Sequence, residues 1–147
     1  MDKHARILIV DDDETIRTTM KAILEDEGYV VDLASTGEEA IQLTMKTTYN
    51  IALLDIRLPD MEGVELLKLM RDSVPRTRKI MVTGYPSMQN AIAALNRNAD
   101  AYLLKPLDNE KLLNLVKEQL DAQVNELKFS EQKVAEFIES RVKEMST

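Results

Sequence analysis

Ile7-Leu8-Ile9-Val10-Asp11-Asp12-Asp13 is the stretch from which the rest of the chain can be read. An unbroken apolar run, mostly β-branched, ends at once in three carboxylates. Such a run describes a strand buried on both faces that breaks into solvent at an acidic turn. A strand apolar on both faces needs helices on each side of its sheet, so the stretch predicts a parallel sheet inside an α/β fold.

Working outward, the pattern repeats. Ile16, Met20, Ile23 and Leu24 recur at helical spacing, and Gly28 is a good C-terminal stop. Tyr29 to Leu33 reads as a second strand. Thr36-Gly37-Glu38-Glu39 fits a capping box and opens a helix through Ala40, Ile41 and Leu43. Ile51 to Leu54 is a third buried strand ending at Asp55, and Leu58 to Gly63 is a loop by its proline and glycine. Val64, Leu67, Met70 and Val74 predict the next helix. Lys79 to Thr83 predicts strand four, Ala91 to Leu95 a short helix, and Ala101 to Leu104 strand five, ended by Lys105-Pro106. From Asp108 the pattern stays helical almost to residue 147. The expected fold is a five-stranded, doubly wound parallel sheet of the flavodoxin-like kind, with right-handed crossovers and a long fifth helix.

Composition narrows the chemistry. The 147 residues carry a net charge of −7, which argues against a nucleic-acid binder. There is no cysteine, which excludes thiolate metal sites and thiol nucleophiles, and a single histidine, His4, near the amino end. No apolar run approaches a membrane span, and Met1-Asp2-Lys3-His4 lacks a secretory h-region. These features predict a cytoplasmic protein with no membrane or nucleic-acid partner.

In sheets of this kind ligands bind outside the carboxyl ends of the strands. Those ends here are Asp11-Asp12-Asp13, Asp55, Thr83 and Lys105. Each alone has an ordinary reading, as a helix cap, a strand terminator, a turn hydroxyl or a solvated lysine. Together they form one chemistry. Clustered carboxylates repel and call for a cation, and a few carboxylates plus water suit Mg²⁺. A carboxylate beside it can attack phosphorus and form an acyl phosphate. Lys105 would neutralise phosphoryl oxygens and Thr83 would donate a hydrogen bond to one. Neither a Walker A motif nor GxGxxG is present, so a nucleotide donor is not implied.

The sequence resembles the receiver domains of two-component response regulators. The likeness rests on Ile7 to Asp13, on Leu54-Asp55-Ile56-Arg57-Leu58-Pro59-Asp60-Met61-Glu62-Gly63, on Val82-Thr83-Gly84 and on Leu104-Lys105-Pro106, and it covers about residues 5 to 121. The resemblance implies that Asp55 is the phosphoacceptor and that a histidine kinase is the donor. It implies that Asp12 is the main Mg²⁺ carboxylate, with Asp11 acting mostly through water and the Arg57 backbone carbonyl as a further ligand. It also implies a phosphoryl-contacting Lys105 with a cis bond to Pro106, and a switch pair, Thr83 and Tyr102. Arg57 and Tyr85 stand at positions that would overhang the phosphoryl group and slow its hydrolysis. The chain would be a signalling switch that turns over no external substrate.

Two rival readings stand beside this one. Asp11-Asp12-Asp13-Glu14-Thr15 matches the DxDxT motif of haloacid dehalogenase-like phosphohydrolases, with Asp11 as nucleophile and Asp13 as acid/base, although that leaves Asp55 to Gly63 unexplained. The other rival is a receiver-like scaffold that binds partners without phosphorylation.

The expected division is a receiver over residues 1–121 and a helical extension over 122–147. The extension contains no glycine or proline. Every third or fourth residue from Leu113 gives Leu113, Lys117, Leu120, Val124, Leu127, Glu131, Val134, Ile138, Arg141 and Met145; seven of the ten are apolar, which favours a coiled-coil seam. The seam predicts a homodimer through the C-terminal helix, ahead of a hairpin folded back on the receiver, docking onto another protein, or a linker to an output domain. Its lysines and arginines alternate with glutamates, so it is no basic recognition helix.

Overall fold

The computed structural model describes residues 4–84 and 87–146. Five strands, β1 (Arg6–Val10), β2 (Val30–Ala34), β3 (Ile51–Asp55), β4 (Arg78–Thr83) and β5 (Ala101–Leu104), alternate with five helices. The helices are α1 (Glu14–Asp26), α2 (Gly37–Lys46), α3 (Gly63–Leu69), α4 (Met88–Asn96) and α5 (Asn109–Ser146). The sheet is wholly parallel, in the order β2-β1-β3-β4-β5.

The two-residue period of a strand divides the core. Ile7, Ile9, Ile51, Leu53, Ile80 and Val82 point to one face, where Met20 and Leu24 of α1 and Leu112, Val116 and Leu120 of α5 cover them. Leu8, Val10, Ala52, Leu54 and Met81 point to the other, beneath Ala40, Leu66, Leu67 and Ala94 of α2, α3 and α4. The chain steps from β1 outward to β2, then crosses back to β3. The strand ends therefore part between β1 and β3, and a crevice opens there. Asp11 and Asp55 stand on its two sides.

Local chemistry sets the element ends. Asp13 accepts a hydrogen bond from the Ile16 N–H (3.2 Å) and caps α1. Gly28, at φ 96°, closes that helix: its N–H donates to the Glu25 carbonyl, and the Tyr29 N–H donates to that of Leu24. Because Tyr29 is engaged in this stop, β2 starts one residue later than its apolar run suggests. Thr36 caps α2 through the Glu39 N–H, while the Glu39 carboxylate reaches back to the Ser35 N–H, one residue before the expected partner.

The main departure is α3. Val74 does not extend it: the helix stops at Leu69, Met70 is its extended C-cap, and Val74 is 86% exposed. The extended backbone of Met70 ends the helix before the last predicted turn, and Pro75 disfavours helical backbone at Val74 itself.

Candidate functional site

Asp11 is 1% exposed and pinned from three directions. Its carboxylate accepts from the Asp13 N–H (2.9 Å) and from the Lys105 ammonium (2.8 Å), and its backbone carbonyl accepts from Arg17 Nη1 (2.7 Å). Asp55, the last residue of β3, is buried, and its carboxylate lies 3.5 Å from Lys105 Nζ. Asp12 is exposed at the crevice mouth. One oxygen from each of Asp11, Asp12 and Asp55 lies within 4.8 Å of the others, a group able to hold a metal ion.

Lys105, joined to Pro106 by a cis bond, reaches this cluster from the end of β5, and its backbone N–H donates to the Thr83 carbonyl (2.8 Å). One ammonium thus serves two of the three carboxylates. Burial pushes the Asp55 carboxyl above the usual aspartate value and the Asp11 charge adds to this, against Lys105 and the Arg57 and Ile56 N–H groups. Burial works to lower the Lys105 pKa, but its hydrogen bond to Asp11 and the charges of Asp11 and Asp55 prevail, and it lies above the usual lysine value.

The loop after β3 is held close. Gly63 packs so tightly that a Cβ there would collide with the Asp55 carbonyl oxygen, so no other residue fits. Arg57 bridges to Glu62 across this loop, and its exposed side chain lines the crevice with Gly84 and Ile16.

Thr83 is fully buried at the end of β4. Tyr102 is the register partner of Met81, so it shares a sheet face with Thr83, two residues further along β4. The Tyr102 ring borders an apolar cavity beneath α4 lined by Ala91, Ala94, Leu95 and Ala99, and its hydroxyl is buried with no hydrogen-bond partner among the described residues. Tyr85 lies outside the described residues. All the other expected site residues converge on the carboxyl edge of the sheet or on the β4–β5 surface beside it.

Sequence reading missed a second charged cluster at the opposite edge. Arg76 donates to Asp100 (2.7 and 3.1 Å) and to Glu126 (2.9 and 3.0 Å); Arg78 donates to Glu126 (2.9 Å) and to Gln119 (2.9 Å). Asp100 also accepts from the Lys79 N–H (2.8 Å). The buried Gln123 amide donates to the Asn50 and Arg76 carbonyls (3.0 and 2.8 Å). The receiver-facing contacts of α5 therefore continue to Glu126. Charged residues at alternate positions where β4 begins are the one visible signal, and they do not name their partners.

The response regulator receiver domain family matches residues 7–117. The transcriptional regulatory protein ZraR of Klebsiella oxytoca is 36% identical over 132 residues, 89% of this chain and 30% of its own. The regulatory protein AtoC of Escherichia coli K12 is 35% identical over 118 residues, 80% of this chain and 26% of its own. Among solved structures, a CheY-like receiver domain protein from Methanospirillum hungatei JF-1 is 48% identical with a TM-score of 0.80, covering 84% of this chain and 98% of that one. A response regulator of Burkholderia pseudomallei, solved with a phosphorylated aspartic acid, calcium ion and citrate, is 29% identical with a TM-score of 0.70, covering 83% and 72%.

The chain belongs to the response regulator receiver domain family of two-component signalling. It spans less than a third of the length of the curated relatives ZraR and AtoC. The phosphohydrolase reading is not favoured: the Asp13 carboxylate it needs as acid/base is engaged in capping α1. Among the described residues no helix is long and apolar enough to cross a membrane.

Proposed function

We propose that this chain is a phosphorylation-driven switch in which Asp55 accepts a phosphoryl group from a histidine kinase. The observation that carries the reading is the crevice itself: a buried Asp55 carboxylate 3.5 Å from the Lys105 ammonium, with Asp11 and Asp12 alongside. An Asp55 oxygen attacks phosphorus as the donor's bond to phosphorus breaks, and the leaving group takes up a proton. Lys105 offsets charge on the transferring oxygens. Asp11, Asp12, Asp55 and the Arg57 carbonyl would hold Mg²⁺, whose chemistry when bound is to neutralise this acidic crevice toward an anionic donor. The donor set is all oxygen, which suits that ion.

The acyl phosphate adds charge and acceptor oxygens where Thr83 ends β4. Thr83 turns toward it, and Tyr102 on the same face repacks. The orphaned Tyr102 hydroxyl supports this: a buried hydroxyl without a partner costs about 1–3 kcal/mol, so conformations that pair it are favoured. The α4–β5–α5 surface then changes its preference for a downstream protein or an output domain. The receiver comprises residues 1–121, and 122–147 form an extension that pairs with a second copy. Arg57 and Tyr85 slow loss of the phosphoryl group; an unchanged phosphoryl half-life in Arg57→Ala and Tyr85→Ala would remove that role. The activity is signalling, without turnover of an external substrate, in the cytoplasm.

The test is intact-protein mass after incubation with acetyl phosphate and Mg²⁺. A gain of one phosphoryl group, abolished by EDTA and by Asp55→Asn, is expected. Label that persists in Asp55→Asn would overturn Asp55 as acceptor, and no label with either acetyl phosphate or a phosphorylated kinase would favour a phosphorylation-independent scaffold.

A further inference from the structure

Helix α5 does not fold back. It runs as one helix of 38 residues, about 57 Å long, and its described residues from Lys128 to Met145 are all exposed. The receiver uses the side of α5 that carries Leu112, Val116, Gln119, Leu120 and Gln123, all buried. Leu120 of the expected seam is therefore consumed by the receiver core, and Leu113 is partly covered by it. Around Leu113 and Leu120 that seam is not available to a second chain.

The lower half is. Val134 follows Val116 by eighteen residues, as Phe137 follows Gln119, Ile138 follows Leu120 and Arg141 follows Gln123. Eighteen residues make about five turns, so each pair shares one azimuth. The exposed stripe is the continuation of the receiver-facing side, carried past the edge of the sheet. Val134, Phe137, Ile138 and Met145 on it are each more than half exposed.

This phase decides which pairing two copies can adopt. In a parallel pair joined through the stripe, each receiver would lie on the inner side of its own helix, and both would need the same space. An antiparallel pair puts the receivers at opposite ends, on opposite sides. We propose, resting on the reading that the extension pairs with a second copy, that it forms an antiparallel two-helix interface centred at the level of Glu136.

The seam residues fit that symmetry. About Glu136, Leu127 falls opposite Met145 of the second copy, Glu131 opposite Arg141, and Val134 opposite Ile138. The two charged seam positions thus meet as opposite charges, twice. In a parallel in-register pair Glu131 would face Glu131 and Arg141 would face Arg141, like charges at a buried seam. Phe137 flanks the axis beside its own counterpart, with the small Ala135 on the other flank. Within one chain Arg141 lies over the Phe137 ring (5.0 Å to its centroid) and 3.4 Å from Glu144, so its guanidinium is already held beside the axis, where Glu131 of a second copy would reach it.

The experiment is sedimentation equilibrium on the full chain with three proteins: wild type, Glu131→Arg, and Glu131→Arg/Arg141→Glu. The wild type is expected to dimerise. The single reversal should weaken the dimer at least about tenfold, and the double swap should restore it. The chain has no cysteine, so an equimolar mixture of Leu127→Cys and Met145→Cys reads the register directly. Oxidation should join one variant to the other and neither to itself. Retained phosphorylation at Asp55 reports that each receiver is folded. A monomeric wild type would overturn both the pairing and its register. A dimer indifferent to Glu131→Arg, with Leu127→Cys joined to itself, would overturn the antiparallel register alone.

Discussion

The two ends of the sheet each gather charges, and they differ in their balance. At the amino end Arg76 and Arg78 face Asp100 and Glu126, two cations for two carboxylates, in direct contact. At the carboxyl end the single Lys105 contacts Asp11 and Asp55, with Asp12 beside them. The first cluster is complete and ties β4, β5 and α5 together. The second sets one ammonium against three carboxylates, and that imbalance is what makes it a site: an added cation relieves it and readies the crevice for an anionic phosphoryl group.

This contrast can be broken most severely at Lys105. Lys105→Ala leaves the buried Asp11 carboxylate without its counter-ion and should cost about 3 kcal/mol by urea denaturation without divalent metal. Adding Asp11→Asn should recover most of that loss; no recovery would mean that Lys105 acts through packing. Mg²⁺ sharpens the comparison from the other side. At about a hundredfold over its Kd it should stabilise the wild type by about 2.7 kcal/mol, an effect lost in Asp12→Asn and kept in Glu126→Gln.

At the balanced end, Asp100→Asn removes the charge shared by Arg76 and Arg78. It should lower stability by about 2 kcal/mol while leaving phosphorylation of Asp55 unchanged, as read by intact mass. The smallest effect belongs to Glu126. The Arg76 hydrogen bond holds its carboxyl below the ordinary value of 4.5. A depressed folded-state pKa contributes stability that is present above the ordinary value and lost as pH falls through the folded one. Glu126→Gln should therefore lower stability at neutral pH and flatten its acid limb. Because the side chain is 39% exposed, the loss should be only about 0.2–1 kcal/mol and should shrink in high salt.

Most of the fold was legible because its signals are local. Ile7 to Val10 and Ile51 to Leu54 announce strands covered on both faces, and Gly28 and the Thr36 cap mark helix ends within a few residues of what they terminate. The acidic site was legible for the same reason: alternating strands and helices fix which end of every strand points the same way. Val74 misled because apolar spacing runs on past Met70, whose extended backbone has already ended the helix.

The sequence by itself determined the order of elements, the strand ends at which chemistry can occur, and an apolar stripe along the last helix. Tertiary structure decided which partners those groups take. Lys105 bonds to Asp11 across 94 residues and Arg76 to Glu126 across 50, separations that no local pattern encodes. It also decided how the stripe on α5 is divided, since burial of Leu120 depends on where the sheet lies, while Ile138, at the same azimuth five turns later, has passed beyond its edge.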